Sequence, residues 1–484
     1  MDLLQVRQGK IVDGGGNPVR LRGTCVGGWM NMENFINGYP GSESGIREAV
    51  ARVLGASKAD LFFGRMLDYM LGEADIRFIR ECGANAVRLP LNYRHFEEDR
   101  RPFQYREAGF RRLDRMLDLC ETYGVYAILD LHAVPGWQNT DWHCDNDSGH
   151  ALFWEHPHFQ DRYVALWETI AARYRGRAVV AGYDIMNEPL CNSWRVHIPM
   201  NRYVRNWERI NAVYRRTTEA IRKVDPRHIL FLEGDYFASL FDGLEAPFAE
   251  NLAYSSHNYT QAGFGPGPYP GVIRGNEWNR EEQEKAFLSH EGSRFARRHG
   301  VPLWVGEFGA VYNGPAREVP DRLRALSDQI GVFERNGVHW TTWTYKDVGV
   351  MGWAMLDPQS DYMQIIRPVL EAKAQLDTDQ WMSWLPETPA KETVRALERC
   401  VRETIGDADV APADNYRCLK QAALCDYAGS LMQPAYAKRF QGMSEDRLEQ
   451  VMASFALENC RINRGLVDVV SGYMKASPAG GQPS

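Results

Sequence analysis

Eight short apolar runs punctuate the first 346 residues, at 21–28, 84–91, 125–132, 179–188, 228–235, 252–259, 302–309 and 339–346. Between them apolar residues recur every three or four positions, as at Phe110, Leu113, Met116, Leu117 and Cys120, and at Tyr163, Leu166, Trp167, Ile170 and Tyr174. A run apolar throughout suits a strand covered on both faces, and a period near 3.6 suits a helix with one buried stripe. Strand and helix alternating in this way close most naturally into an α/β fold, the (β/α)8 TIM barrel, whose functional groups lie at the C-terminal strand ends. A doubly wound open sheet is the competing architecture, but no Gly-rich phosphate turn follows the first run. A short hairpin is predicted ahead of the barrel, and the Gly-Pro stretch 263–271 reads as a rim loop after the sixth strand.

Past about residue 375 the pattern becomes helical only, with amphipathic spacings at Val394, Leu397, Val401 and Ile405 and at Leu448, Val451, Met452 and Phe455. The predicted organisation is a catalytic barrel with its hairpin over 1–375 and an all-α C-terminal extension over 376–484. The extension reads as a cover for the barrel or a contact for a homo-oligomer, with a substrate-gripping lid as the alternative. The tail 477–484 reads as disordered.

The polar residues collect where the runs stop: Arg88, His132, Asn187, Glu188, His257, Tyr259, Glu307, Trp343 and Lys346. Two of them are carboxylates, in Asn187-Glu188-Pro189 and Gly306-Glu307-Phe308-Gly309. Facing carboxylates at a barrel rim can cleave a glycosidic bond, one donating a proton to the leaving oxygen and the other, about 5 to 5.5 Å away, attacking the anomeric carbon.

Composition narrows the partners. The 484 residues carry 56 basic and 63 acidic side chains, a net charge of −7, with no basic arm, so nucleic acid is not an expected partner. Fourteen Trp suit a cleft that packs sugar faces. No run reaches the roughly 18 apolar residues of a membrane span, and the N-terminus has no apolar signal region. Nine Cys are scattered without a C-x-x-C pair, which points to free thiols and a cytoplasmic setting. His132, His143, Cys144, Asp145 and His150 match no tight ligand spacing, so no metal and no cofactor are expected.

On these motifs residues 10–360 resemble the β-glycosidases of glycoside hydrolase family 5, in clan A. The resemblance implies that Glu188 is the acid/base and Glu307 the nucleophile, and that Arg88, His132, Asn187, His257, Tyr259 and Trp343 bind substrate or support the pair. Asn187 would bond the sugar 2-OH, and Trp343 would offer a flat platform. Arg88 and Tyr259 would keep Glu307 ionised, while Glu188 would start protonated.

The segment from Leu21 to Glu33, and the loop after the third run with Gln138-Asn139 and Asp145-Asn146, are similar to the exo-acting β-1,3-glucanases of the family. That implies Glu33 and Asp145 bonding the non-reducing hydroxyls and closing the cleft into a pocket. The chain departs from them at His143-Cys144, in a long loop between strands one and two (35–71), and in its C-terminus. The expected activity is a retaining exo-β-glucosidase or exo-glucanase on small β-glucosides or β-gluco-oligosaccharides. The alternatives are a glycolipid β-glucosidase, a β-mannosidase, an endo-β-glucanase, or a non-catalytic carbohydrate-binding barrel, the last opposed by the presence of both carboxylates.

Overall fold

The computed structural model describes residues 1–192, 202–379, 387–406 and 412–476; the tail expected to be disordered, 477–484, lies outside them. Eight parallel strands form a closed barrel: β1 (Arg22–Cys25), β2 (Ala86–Asn92), β3 (Tyr126–Ala133), β4 (Val180–Asp184), β5 (Ile229–Glu233), β6 (Leu252–His257), β7 (Leu303–Glu307) and β8 (His339–Thr342). Each falls on one of the apolar runs, β2 and β3 ending one residue past theirs, and each pairs with its sequence neighbours, β8 closing onto β1 through Trp340 to Thr342 opposite Arg22 to Thr24. The helices predicted from Phe110 and Tyr163 are α-helices Glu107–Tyr123 and Pro157–Tyr174. Gly23 shows how tightly the strands approach: a Cβ there would meet the Ala86 carbonyl oxygen at 1.7 Å.

The N-terminal hairpin (Gln5–Arg7 with Lys10–Val12) seals the barrel's lower end. Its Leu4 and Ile11 join Leu21, Ala86, Ile128, Ala181, Ile229, Phe231, Ala253 and Trp304 in one buried cluster. The C-terminal strand ends are thereby left as the open face.

Two readings of the sequence are corrected here. The presumed long loop 35–71 is mostly two helices, Glu43–Leu54 and Ala56–Met70. Their signals are present in the chain: Ser42 caps the first, accepting from the Gly45 N–H at 3.2 Å, and Ala59, Phe62, Phe63, Met66, Leu67 and Met70 line one buried face of the second. The C-terminus is also not wholly helical. Cys460–Ile462 forms a strand antiparallel to Ala354–Leu356, which pairs in parallel with Lys346–Asp347. Three residues are too few for an alternating pattern to register.

The C-terminal helices share the barrel's core. Gly429–Lys438 packs on Glu43–Leu54, Glu445–Met452 on Ala56–Met70, and Arg464–Lys475 on Val319–Arg335. Leu448, Val451, Met452 and Phe455 are completely buried, while Leu397 and Ile405 are exposed. Lys346, grouped with the site residues on sequence, turns away from them. Its Nζ bonds Asp75 Oδ1 at 2.6 Å and the Phe455 carbonyl at 2.7 Å, tying the C-terminal region to the barrel. Among the described residues no helix is long and apolar enough to cross a membrane.

Candidate active site

Glu307 is the last residue of β7. Glu188 stands four residues beyond β4, on a segment held over the barrel by Ile185 N–H to the Phe231 carbonyl (3.2 Å) and Asn187 N–H to the Leu131 carbonyl (3.3 Å). Glu188 has φ 45°, a left-handed conformation that costs a non-glycine residue on the order of 1 to 3 kcal/mol. Its N–H donates to Glu233 Oε2 at 2.7 Å, which helps hold it there. One carboxylate oxygen each from Glu188 and Glu307 and one ring nitrogen of His257 all lie within 4.8 Å of one another. Arg88 and two imidazoles already hydrogen-bond these carboxylates, so the cluster has the makeup of an acid and nucleophile pair.

Arg88, within β2 and fully buried, organises the Glu307 side. Its guanidinium donates to Glu307 Oε1 (2.5 Å), Asp184 Oδ2 (3.0 Å), Asn187 Oδ1 (2.8 Å) and Glu233 Oε1 (3.1 Å), and lies 3.1 Å from Asp130 Oδ2. Tyr259 donates to Glu307 Oε2 at 2.9 Å. Both Glu307 oxygens are therefore held and the carboxylate is aimed. Burial, and then the neighbouring Glu233 charge, push Asp184 well above the usual carboxylate range, which lowers the negative charge Arg88 must balance.

Glu188 sits between two imidazoles: His257 Nδ1 at 2.7 Å from Oε1, and His143 Nε2 at 3.0 Å from Oε2. Burial by itself would raise its pKa, but the hydrogen bonds from His143 and His257 outweigh that and hold the carboxyl below its ordinary range. His257 also lies 3.1 Å from Glu233 Oε1 and 3.6 Å from Glu307 Oε2. Burial opposes its charge, yet the Glu233 and Glu307 carboxylates keep its pKa well above normal. The two imidazoles thus flank Glu188, one on each carboxylate oxygen.

The pair opens into a pocket of about 180 Å³ lined by Glu33, His132, Asp141, Trp142, His143, Phe237, Tyr259, Trp343 and Arg417. Trp343 stacks on His132, the rings 5.4 Å apart and 7° from parallel. Glu33 Oε1 lies 3.4 Å from His132 Nε2 at the pocket wall, and Trp142 presents a buried indole N–H (Nε1) without a hydrogen-bond partner in the protein, a donor placed for a sugar hydroxyl. Asn187 Nδ2 lies 3.3 Å from His132 Nε2.

Asp145, like Lys346, is committed elsewhere by the fold. Its carboxylate accepts from Ser44 N–H (2.6 Å), Asn92 Nδ2 (3.1 Å) and Arg94 Nε (3.0 Å), so it braces the pocket wall. Asp141, four residues earlier, reaches the pocket instead. Of the tryptophans near the site, Trp142 and Trp343 line the pocket, whereas Trp29 and Trp353 lie in the core and Trp137 bonds the Asp145 carbonyl at 2.8 Å. Phe237 and Arg417 carried no signal in the sequence. Phe237 reaches the pocket through three successive left-handed residues, Tyr236 to Ala238, and Arg417 arrives from the C-terminal helix Pro412–Lys420, where it donates to the Tyr236 hydroxyl at 3.0 Å.

His132 makes a testable electrostatic element. Its Nδ1 lies 2.7 Å from Asp130 Oδ2; burial opposes the charge, but Asp130 and Glu33 raise its pKa to about 10. Because the folded value exceeds the unfolded one, the stabilisation is complete below the unfolded pKa near 6.5 and is lost as pH rises through about 10. His132→Gln is expected to lower Tm more at pH 6 than at pH 10; an equal loss at both would remove the imidazolium from this account.

Comparison with known proteins decides the family. The Cellulase (glycosyl hydrolase family 5) family matches residues 58–349. The chain belongs to glycoside hydrolase family 5. This family 5 enzyme is a glycoside hydrolase acting on β-glycosides. It is 38% identical to a β-xylosidase of Phanerodontia chrysosporium, over 97% of this chain and 98% of that protein. It is 26% identical to a probable glucan 1,3-β-glucosidase A of Emericella nidulans, over 70% and 88% of the two chains. Among solved structures, an endogalactoceramidase shares the fold at a TM-score of 0.51 and 19% identity, over 72% of this chain and 75% of that one.

Proposed function

We propose that this family 5 enzyme is a retaining, exo-acting β-glycosidase that removes one terminal β-glucosyl residue from small β-glucosides or β-gluco-oligosaccharides. The observation that carries the reading is a carboxylate pair with oxygens within 4.8 Å of each other, opening into a small pocket partly lined by Glu33. Inverting enzymes hold the two groups about 6.5 to 9.5 Å apart to admit a water; closer spacing suits direct attack. Glu307, aimed by Arg88 and Tyr259, attacks the anomeric carbon while Glu188 protonates the departing oxygen. Loss of the Glu307 charge in the glycosyl ester then favours Glu188 as the base that activates water.

Exo action is supported by pocket size and by Glu33. A volume of about 180 Å³ is below the roughly 300 Å³ at which drug-sized ligand sites begin, in keeping with one sugar ring. Glu33→Ala is expected to lower kcat/KM by up to about 100-fold, through sugar hydroxyls left desolvated and unpaired at a cost of about 1 to 3 kcal/mol, with the barrel still folded. Products of a β-gluco-oligosaccharide should be monosaccharide from the first turnover. Early disaccharide, or unchanged kinetics in Glu33→Ala, would return the protein to the endo-acting members.

A second reading, a terminal β-xylosyl residue, is favoured by the 38% identity to a β-xylosidase along nearly the whole chain. A xyloside lacks only the C5 hydroxymethyl group, so contacts to the ring hydroxyls carry over. Rates on nitrophenyl β-glucoside and β-xyloside, with the product anomer followed by proton NMR, separate the two; an inverted anomer would sink both.

A further inference from the structure

We propose that His143 stores the proton that Glu188 delivers to the leaving group, acting as a positioning residue through Glu188. The inference rests on the reading of Glu188 as the acid/base. His143 lies on the loop after β3, with Nε2 3.0 Å from Glu188 Oε2. Its backbone is fixed by Asn31 Nδ2, which donates to the His143 carbonyl at 3.0 Å, and its ring meets Trp142 edge to face at 5.9 Å. It is therefore aimed at the acid by contacts on both sides.

Two imidazoles touch Glu188, and their surroundings differ. His257 faces Glu233 and Glu307 as well, so surrendering its proton would remove a positive charge that two further buried carboxylates share. His143 has the opposite arrangement. Asn139 Nδ2, which donates to the Glu188 carbonyl at 3.0 Å, also lies 2.9 Å from His143 Nε2. An amide N–H directed at a protonated Nε2 is a donor facing a donor. Once the proton has moved to Glu188, Nε2 becomes an acceptor for that same amide. One nitrogen thus has a partner for each protonation state.

The transfer balances simply. The Nε2–H bond of His143 breaks as an O–H bond forms on Glu188. That proton passes to the glycosidic oxygen as its bond to the anomeric carbon breaks and the bond to Glu307 forms. In the second half-reaction Glu188 takes a proton from water as the water oxygen bonds the anomeric carbon and the ester bond to Glu307 breaks, and it returns a proton to Nε2. The charged groups facing His143 are Glu188, with Asp141 and Glu33 attracting from further off; His132 stands with its ring 6.1 Å away, and Arg417 lines the same pocket. Burial works against a charge on His143, and the hydrogen bond to Glu188 outweighs it, raising the pKa above 6.5.

The test is the pH dependence of kcat/KM on neutral aryl β-glycosides for wild type, His143→Gln and His143→Phe. With a dyad, the basic limb reports loss of the shared proton; without His143 it reports the Glu188 carboxyl, so both variants should shift that limb to lower pH by about one unit or more. Their rates should fall most on poor leaving groups. A ring that only packs would let His143→Phe keep the wild-type profile, and basic limbs unmoved in both variants would overturn the proposal. Should either variant fail to fold, ¹⁵N NMR of the wild-type imidazoles decides: a His143 Nε2 titration that does not coincide with the basic limb also overturns it. Failure of the acid/base reading itself would be seen separately, as full activity in Glu188→Gln.

Discussion

Glu307→Gln is expected to lower kcat/KM by at least about 10⁴-fold on every β-glycoside the enzyme cleaves, because the covalent route loses its nucleophile. The amide keeps the shape of the carboxylate, and Arg88 keeps Asp130, Asp184, Asn187 and Glu233 around it. Folding should therefore survive, and a melting curve close to wild type would separate lost chemistry from lost structure. A slow-turnover 2-fluoro glycoside with a good leaving group should trap the ester, adding one sugar mass to the peptide that contains Glu307. A label on any other residue would sink the assignment.

Glu188→Ala should slow substrates with poor leaving groups by roughly 10² to 10⁴-fold, and activated nitrophenyl substrates much less in the glycosylation step. The asymmetry arises because a nitrophenolate departs without a proton and an alkoxide does not. The vacated space beside His143 and His257 should admit a small anion, so azide is expected to restore turnover and to give a β-glycosyl azide. Equal losses on both substrate classes, without azide rescue, would argue that Glu188 is structural. The two imidazoles would then be left without their carboxylate, and the variant should also lose stability.

The carboxylate pair was legible in the sequence because each glutamate closes an apolar run, and parallel barrel strands carry their C-terminal residues to one rim whatever loops join them. Arg88 and His257 were legible for the same reason, their positions following strand register, and Asn187 and Tyr259 stand within three residues of a strand end. Asp145 was not. It lies in a loop, and whether a loop carboxylate faces a pocket or a neighbouring amide depends on which backbone groups arrive beside it, here those of Ser44, Asn92 and Arg94.

The chain by itself determined a parallel eight-stranded barrel, its family, and two glutamates at the open rim, since periodicity and strand-end position are local properties that survive any packing of the periphery. Tertiary structure alone decided the rest. It brought His143 against Glu188 across the gap between two strand-end loops, and it carried Arg417 into the pocket from a helix more than 200 residues along the chain from Glu188. It also turned Lys346 from the rim to the Asp75 carboxylate and the Phe455 carbonyl. Each of these depends on a contact between segments far apart in sequence, and a buried charge goes where a partner stands ready to neutralise it.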